Sequence, residues 1–458
     1  MAGMGWTGRF ATAVATITLA AAAVPSVTSA QTYLDARRMA MGGLFMMRDE
    51  LVRYNVAYQA VPGGLADGKI TIPIPVGLVQ VLSESPTFDP QDSTFNAFEI
   101  LDLVMNPPLY LELREATIPD SDIELFIGKN ELQLDLHEAQ AYIPDDNFTM
   151  GSSSRPLEVG YTFHGFRLGV SGFLQNELEV GLSDNLRAFF REAEPATPNT
   201  RYFMTGAGLV QTGFAFGAGY SLRALSGSSL GLTPLGYRED GANGIYVGAA
   251  VRYYQGVAFA QLGGESGMTT GDTIFGDAVL TDFTATVVRS DVNGVSQMGR
   301  GAGVDLGIAL VSNDLTLGFG INDLGATLTW PSAIVELYTL DTLTNVVAKQ
   351  TLGTGVEAKT ELPVSYIVNG SIRIRGTRIG GDLVHSAGGL SIHVGAEQWR
   401  DWFALRGGVN RDNRGELQFG AGVGFWFRPV TLDIGLMTHS QSFSGERGIR
   451  LGTFVSIY

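Results

Sequence analysis

The sequence contains no cysteine. That excludes a disulfide scaffold, a thiolate metal site and a cysteine nucleophile. Charge is scarce too: 17% of residues are charged, against about 25% in ordinary soluble domains. Basic residues are outnumbered by acidic ones, and the formal net charge is −16. A nucleic-acid surface needs clustered Lys and Arg, so that partner is excluded. Beyond residue 30 no apolar run approaches the ~18 residues of a membrane-crossing helix. Glycine, by contrast, is abundant at 60 of 458 residues. Together with a 45% hydrophobic fraction, this rules out disorder, collagen and coiled coil, and points to an unusual β-protein.

The N-terminus indicates export. Arg9 supplies a positive start, and Phe10 to Val24 is an apolar run ended by Pro25. Thr28-Ser29-Ala30 then offers small residues for cleavage ahead of Gln31. Residues 1–30 are therefore expected to be a cleaved signal peptide. An exported chain without a spanning helix enters a membrane only as a barrel.

From about residue 156 onward, apolar residues alternate at period two, the pattern of half-buried strands. Val210, Phe214, Phe216, Tyr220 and Leu222 share one face, while Gln211, Gly213, Gly217, Gly219 and Ser221 share the other. Ala302–Val311, Val364–Arg375 and Leu417–Phe427 repeat the pattern. The expected fold is all-β, a closed antiparallel transmembrane β-barrel of about 14 strands, with 12–16 as the range. Aromatics near strand ends (Tyr253-Tyr254, Trp399 with Trp402-Phe403, Phe425-Trp426-Phe427) suggest interfacial girdles. In the last strand Ile449, Leu451, Val455 and Ile457 form the better apolar face, and Tyr458 falls on the other.

Two regions do not look like wall. Residues 31–66 mix apolar, charged and aromatic residues without alternation, and 94–106 read as a helix ended by Pro107-Pro108. A second short helix is expected at Asp184–Glu194, capped by Ser183, with Leu186, Phe189, Phe190 and Ala193 on its apolar side. Acidity concentrates in residues 84–146, where fifteen acids face only Arg114 and Lys129. The division read here is signal peptide 1–30, N-terminal segment 31–66, and barrel 67–458 with an acidic insertion near 84–146.

Asp35-Ala36-Arg37 followed by Met39-Ala40-Met41-Gly42-Gly43 resembles the mature N-terminus of FadL-like outer-membrane barrels, including the PorV-type and conjugal-transfer TraF-type branches. Ile72-Pro73-Ile74-Pro75-Val76-Gly77-Leu78 and Asn106-Pro107-Pro108 are most similar to the TraF-type branch. Gly320-Ile321-Asn322-Asp323-Leu324-Gly325 and Leu405-Arg406-Gly407-Gly408-Val409-Asn410 carry the resemblance into the last third of the chain. It implies a barrel with the N-terminal segment folded into the lumen as a hatch. Glycines on the lumen side would let such a segment approach the wall closely. Where many relatives carry Asn-Pro-Ala in the hatch, this chain has Asn55-Val56-Ala57.

The five histidines (His137, His164, His385, His393, His439) show no metal-site spacing, and no phosphate loop is present. An outer-wall lipase would need His385, Ser386 and Asn369 to meet. The charges assigned to the lumen side, Arg167, Arg252, Asp305, Arg373, Asp382, Glu397 and Arg406, are expected to pair with one another or with the plug. No catalytic, cofactor or metal site is assigned and no enzyme is expected. The expected place is the bacterial outer membrane, with its lipid as partner. The function read is binding or passing small hydrophobic compounds. The alternative is a non-transporting subunit of a secretion, conjugation or surface-assembly system, with a protein partner.

Overall fold

The computed structural model describes residues 36–46, 51–52, 54–62, 70–79, 82, 110–115, 124–127, 132–135, 148–154, 158–226, 242–274, 280–291, 295–312, 314–341, 346–386, 389–411, 417–427, 429–438 and 447–457. The expected signal peptide, the helix at 94–106, most of the acidic insertion, His137, His439 and Tyr458 lie outside them. Within them the strands are β1 (Ile70–Ile74), β2 (Tyr110–Glu115), β3 (Glu124–Ile127), β4 (Leu132–Asp135), β5 (Phe148–Ser154), β6 (Glu158–Phe163), β7 (Phe166–Leu182), β8 (Arg201–Ser226), β9 (Gly244–Thr269), β10 (Leu280–Ser290), β11 (Gly299–Val311), β12 (Leu315–Asp341), β13 (Val346–Glu361), β14 (Ser365–Ile374), β15 (Thr377–Ser386), β16 (Gly389–Arg400), β17 (Phe403–Arg411), β18 (Leu417–Phe427), β19 (Val430–Thr438) and β20 (Arg447–Ile457).

β3 and β4 make a separate hairpin, and the other strands form one 18-stranded antiparallel sheet. Four wall positions are shared by two strands lying end to end. β1 and β2 both pair with β20, and β5 and β6 both pair with β7. β10 and β11 lie between β9 and β12, while β13 and β14 lie along the far side of β12. With each shared position taken once, the described strands occupy fourteen wall positions. The first strands, β1 and β2, pair with the last, β20, which brings the two ends of the hairpin series together as barrel closure requires.

The alternation resolves as lipid outside and lumen inside. Phe214, Phe216 and Tyr220 on β8 are exposed, as are Leu317 and Phe319 on β12, Ile392 and Val394 on β16, and Phe419 on β18. The intervening Gln211, Ala215, Asn369, Glu397, Arg406 and Arg450 are buried. A soluble sheet would reverse this, so the apolar belt is the surface that meets a bilayer. Ile449 and Ile457 on β20 are outward, while Phe454 is buried. This is an outer-membrane type of β-barrel.

Turns at one end are short. His164-Gly165 and Arg375-Gly376 both have positive φ at the two corner residues, the geometry of a tight hairpin. Near this end Trp402 stacks on Phe425 and Phe427, an aromatic cluster on the outer face. Two girdle expectations are corrected. Tyr254 is 1% exposed and faces the lumen, and Trp399 turns its indole onto Glu397. In both cases a buried carboxylate gives the polar tip a partner.

At the other end the wall rises well beyond a bilayer. β8 and β9 have 26 residues each and β12 has 27, where about ten suffice to span. Sequence alternation stops early because the upper halves, such as Gly263-Gly264-Glu265-Ser266-Gly267, have no lipid-facing side to keep apolar. There the helix Asp184–Arg191 forms as expected, with the Ser183 side chain accepting from Leu186 N, though it ends earlier than the sequence indicates. Its Phe189 packs with Tyr202 and Ile274, against which Leu132 and Leu134 of β4 also lie.

Candidate functional site

The lumen is where the sequence departs furthest from a simple pore. Residues 36–46, 51–52 and 54–61 run inside the wall and touch it strand after strand. Ala36 approaches Gly435 of β19, and Met41 approaches Gly408 of β17 and Gly395 of β16. Further along, Asn55 approaches Gly307 of β11, Val56 approaches Gly248 of β9, and Gln59 approaches Gly219 of β8. These glycines are matched in register: Gly408 is opposite Gly420 and Gly395, Gly395 opposite Gly380, and Gly307 opposite Gly320 and Gly248. The wall thus carries a girdle of positions without side chains, and the internal backbone lies in it. A Cβ at Gly408 would run into the Met41 carbonyl, so close approach requires glycine there.

Polar bolts fix the segment at intervals. Arg37 places Nε 2.7 Å and Nη2 2.8 Å from the two Glu397 oxygens, a bidentate pair. Glu397 also receives Arg406 at 2.8 Å, and Arg406 continues to Asp433 at 2.6 Å. Both Glu397 and Arg406 side chains are 1% exposed, so removing either charge would strand the other. Phe45 N donates to Asp382 at 2.7 Å, and Asp382 in turn meets His393. The Arg38 guanidinium sits over the Phe45 ring. Asn322 donates to the Tyr54 carbonyl at 2.9 Å, and Asn369 donates to the Tyr58 hydroxyl at 2.9 Å. Burial pushes the Tyr58 pKa up, so its hydroxyl stays protonated.

Asn55 organises the far end. It caps the 3-10 turn Val56–Ala60 by accepting from Ala57 N at 3.0 Å, and donates to the Ile308 carbonyl at 3.1 Å. Around these polar bonds Phe45, Leu51, Val52, Tyr58, Tyr246 and Ile367 form an apolar cluster.

The outer half of the lumen is closed differently. Phe173, Tyr254, Phe259, Leu328, Trp330 and Leu362 form a second cluster supplied by the wall itself. Trp330 is 0% exposed, lies against Gly256 and Gly299, and meets Phe259 with ring centroids 4.6 Å apart and planes tilted by 39°. Its Nε1 donates to Thr360 at 2.8 Å, and Thr360 donates to Gln211 at 2.6 Å. Gln211 donates to Gln175 at 2.6 Å and to the Glu361 carbonyl at 2.9 Å. This chain links β7 and β8 to β12 and β13 across the two wall positions between them, β9 and β10/β11.

The lumen charges read from the sequence sort clearly. Glu397, Asp382 and Arg406 hold the internal segment or its holders, and Arg252 pairs with Asp305. Arg167 bonds Thr162, and Arg373 lies near the short-turn end, where its N donates to the Asp314 carbonyl. His385 is exposed beside Tyr366, whereas Asn369 is buried in the lumen, so the lipase grouping is not assembled. Among the described residues no group of acidic or histidine side chains is arranged to hold a metal. The Gln211–Thr360 clasp and the Arg37–Glu397 pair had no local signal, because their partners lie 149 and 360 residues apart.

No family model and no curated protein matches the sequence. Among solved structures the chain is similar to the toluene transporter TbuX of Ralstonia pickettii, at 13% identity and TM-score 0.32, covering 65% of this chain and 79% of that one. A FadL homologue of Pseudomonas aeruginosa gives 10% identity and TM-score 0.33 over 64% and 78%. CymD, a monoaromatic hydrocarbon channel, gives 10% and 0.33 over 72% and 94%. FadL-like barrels, the resemblance read from the sequence, thus recur among these structures. Superpositions this loose bear no weight; the fold stands on the strand pairing itself.

Proposed function

We propose that this chain is a plugged outer-membrane barrel that binds or passes small hydrophobic compounds, with residues 1–30 removed on export and 31–66 serving as the hatch. The supporting observation is the apolar outer lumen around Trp330, Phe259 and Phe173. A water-filled porin lines its interior with polar groups, whereas here an apolar guest could take the place of Phe173, Phe259 or Leu328, which carry no polar atom to strand, while Trp330 keeps its bond to Thr360. Passage would then require the hatch to leave its glycine girdle, since the bolts close the inner half.

The test is uptake across an intact outer membrane. Cells producing the barrel should take up a hydrophobic fluorophore such as N-phenyl-1-naphthylamine faster than cells without it. Uptake of a hydrophilic sugar of similar size should be unchanged. Equal dye uptake in both would reject transport. A second reading, a non-transporting subunit of a secretion or assembly system, is favoured by the density of the bolts around Glu397. A stoichiometric protein partner co-purifying with a barrel that moves no dye would establish it.

A further inference from the structure

We propose that a double bulge in β12, at residues 322–326, ties the far end of the internal segment to the outer apolar cluster, so that these two closures loosen together. Asp305 of β11 lies between the Leu306–Ile321 and Val304–Leu324 pairs, so it alone faces both Asn322 and Asp323. Gly303 lies between the Val304–Leu324 and Ala302–Thr327 pairs, and faces both Gly325 and Ala326. An extra residue of this kind re-aims the side chains beside it. The first one breaks the alternation: Asn322 and Asp323 are 2% and 5% exposed and both point inward, while Leu324 is exposed. The second restores it, so Ala326, Leu328 and Trp330 face the lumen again.

A regular strand turns only one of two adjacent residues inward, and so could serve one closure but not both. Here Asn322 donates to the Tyr54 carbonyl at 2.9 Å, next to the Asn55 cap. Asp323 binds the Tyr254 hydroxyl, and Tyr254 meets Phe173 edge-on within the outer cluster. Asp323 N donates to Asp305 at 3.0 Å, and Asp305 pairs with Arg252 of β9, which anchors the bulge to both neighbouring strands. The backbone is left-handed at Asp323, with φ +62°, and at Gly325, with φ +70°. An aspartate tolerates that conformation and keeps it where its surroundings hold it. The holders are the Tyr254 hydroxyl and Asp305. Without them residue 323 relaxes toward extended backbone and carries the Asn322 amide away from Tyr54. A Cβ at Gly325 would meet nothing within 4 Å, so glycine is needed there for its φ and not for room. The ion pairs around Glu397 hold Arg37 and take no part in this link. The link stands whether or not the barrel passes hydrophobic compounds.

The experiment is amide hydrogen exchange of the purified, folded barrel, read at residues 54–61 with 36–46 as the internal reference. Gly325→Ala strains the bulge without touching a neighbour. It should accelerate exchange at 54–61 about tenfold or more and leave 36–46 unchanged. Tyr254→Phe removes only the hydroxyl that holds Asp323, and should act in the same direction by a smaller factor. Asp323→Ala should match Gly325→Ala, whereas Asp323→Asn, which tolerates the same φ and keeps an acceptor, should stay close to wild type. Heat-modifiable migration on gels checks that each variant is folded, and Tyr254→Phe serves if Gly325→Ala fails that check. Unchanged exchange at 54–61 in either folded variant would overturn the proposal. Equal acceleration at 36–46 and 54–61 would overturn it too, because the whole barrel would then be loosening.

Discussion

The inner and outer halves of this lumen are both closed, but by opposite means. In the inner half a separate length of chain lies in a groove of glycines and is bolted by buried ions, Arg37–Glu397–Arg406–Asp433 above all. In the outer half the wall's own side chains, with Trp330 at their centre, meet across the interior. Ionic bolts specify one geometry, because breaking one member leaves a buried charge. Apolar contacts are interchangeable, because any guest of the right size restores them. The lumen thus has one half held by buried ions and one half held by apolar contacts, and the proposed passage of apolar compounds would use that division.

That contrast can be broken most severely at Glu397. Glu397→Ala should leave Arg37 and Arg406 buried without their carboxylate and destabilise the folded barrel by about 3–5 kcal/mol. Thermal loss of the heat-modifiable form would measure it. Gly408→Val comes next, with a cost of roughly 1–3 kcal/mol from overpacking against Met41. Its sharper signature is displacement of the internal segment, visible as new protease cleavage within residues 36–46 while the wall strands stay protected. In the outer half, Thr360→Val removes the acceptor for Trp330 and the donor to Gln211, a loss of about 1–3 kcal/mol. Dye uptake should rise in that variant, and an unchanged rate would place the limiting step at the hatch.

The smallest effect is expected in the rising sheet. Glu336 lies 19 residues beyond the outward-facing Leu317, roughly 60 Å along the strand and clear of the bilayer. Arg289 at 3.1 Å, Lys349 at 2.7 Å and the Tyr338 hydroxyl at 3.1 Å surround its carboxylate. Hydrogen bonds from Arg289 and then Lys349 lower its pKa from 4.5 to about 2. A depressed carboxylate stabilises the fold above its unfolded value and loses that contribution as pH falls. Amide exchange in β10, β12 and β13 should therefore accelerate between about pH 4.5 and 2, with the membrane belt unaffected. Glu336→Gln should remove that pH dependence.

Much of this architecture is visible in the sequence because a barrel wall repeats one rule. The period-two runs from residue 156 mark the wall, and the inward glycines mark where something approaches closely. The rising halves of β8, β9 and β12 escape notice because water on both sides removes the pressure for alternation. Tyr254 faces the lumen because its neighbour Tyr253 faces out, and successive strand residues point to opposite faces, so a pair of adjacent aromatics supplies the girdle only once. The closures themselves are long-range: nothing near Gln211 announces Thr360, and nothing near Arg37 announces Glu397. What the sequence does supply is the expectation that lumen charges are paired, which Arg252–Asp305 and Arg406–Asp433 meet.

The most direct test of a lumen closed by the internal segment is conductance of the single barrel in a planar lipid bilayer. The wild-type protein should be electrically silent, and Gly408→Val combined with Trp330→Ala should produce ion-conducting openings, as the segment leaves its groove and the outer cluster loses its central ring. A wild-type barrel that conducts steadily, as an open porin does, would contradict the account.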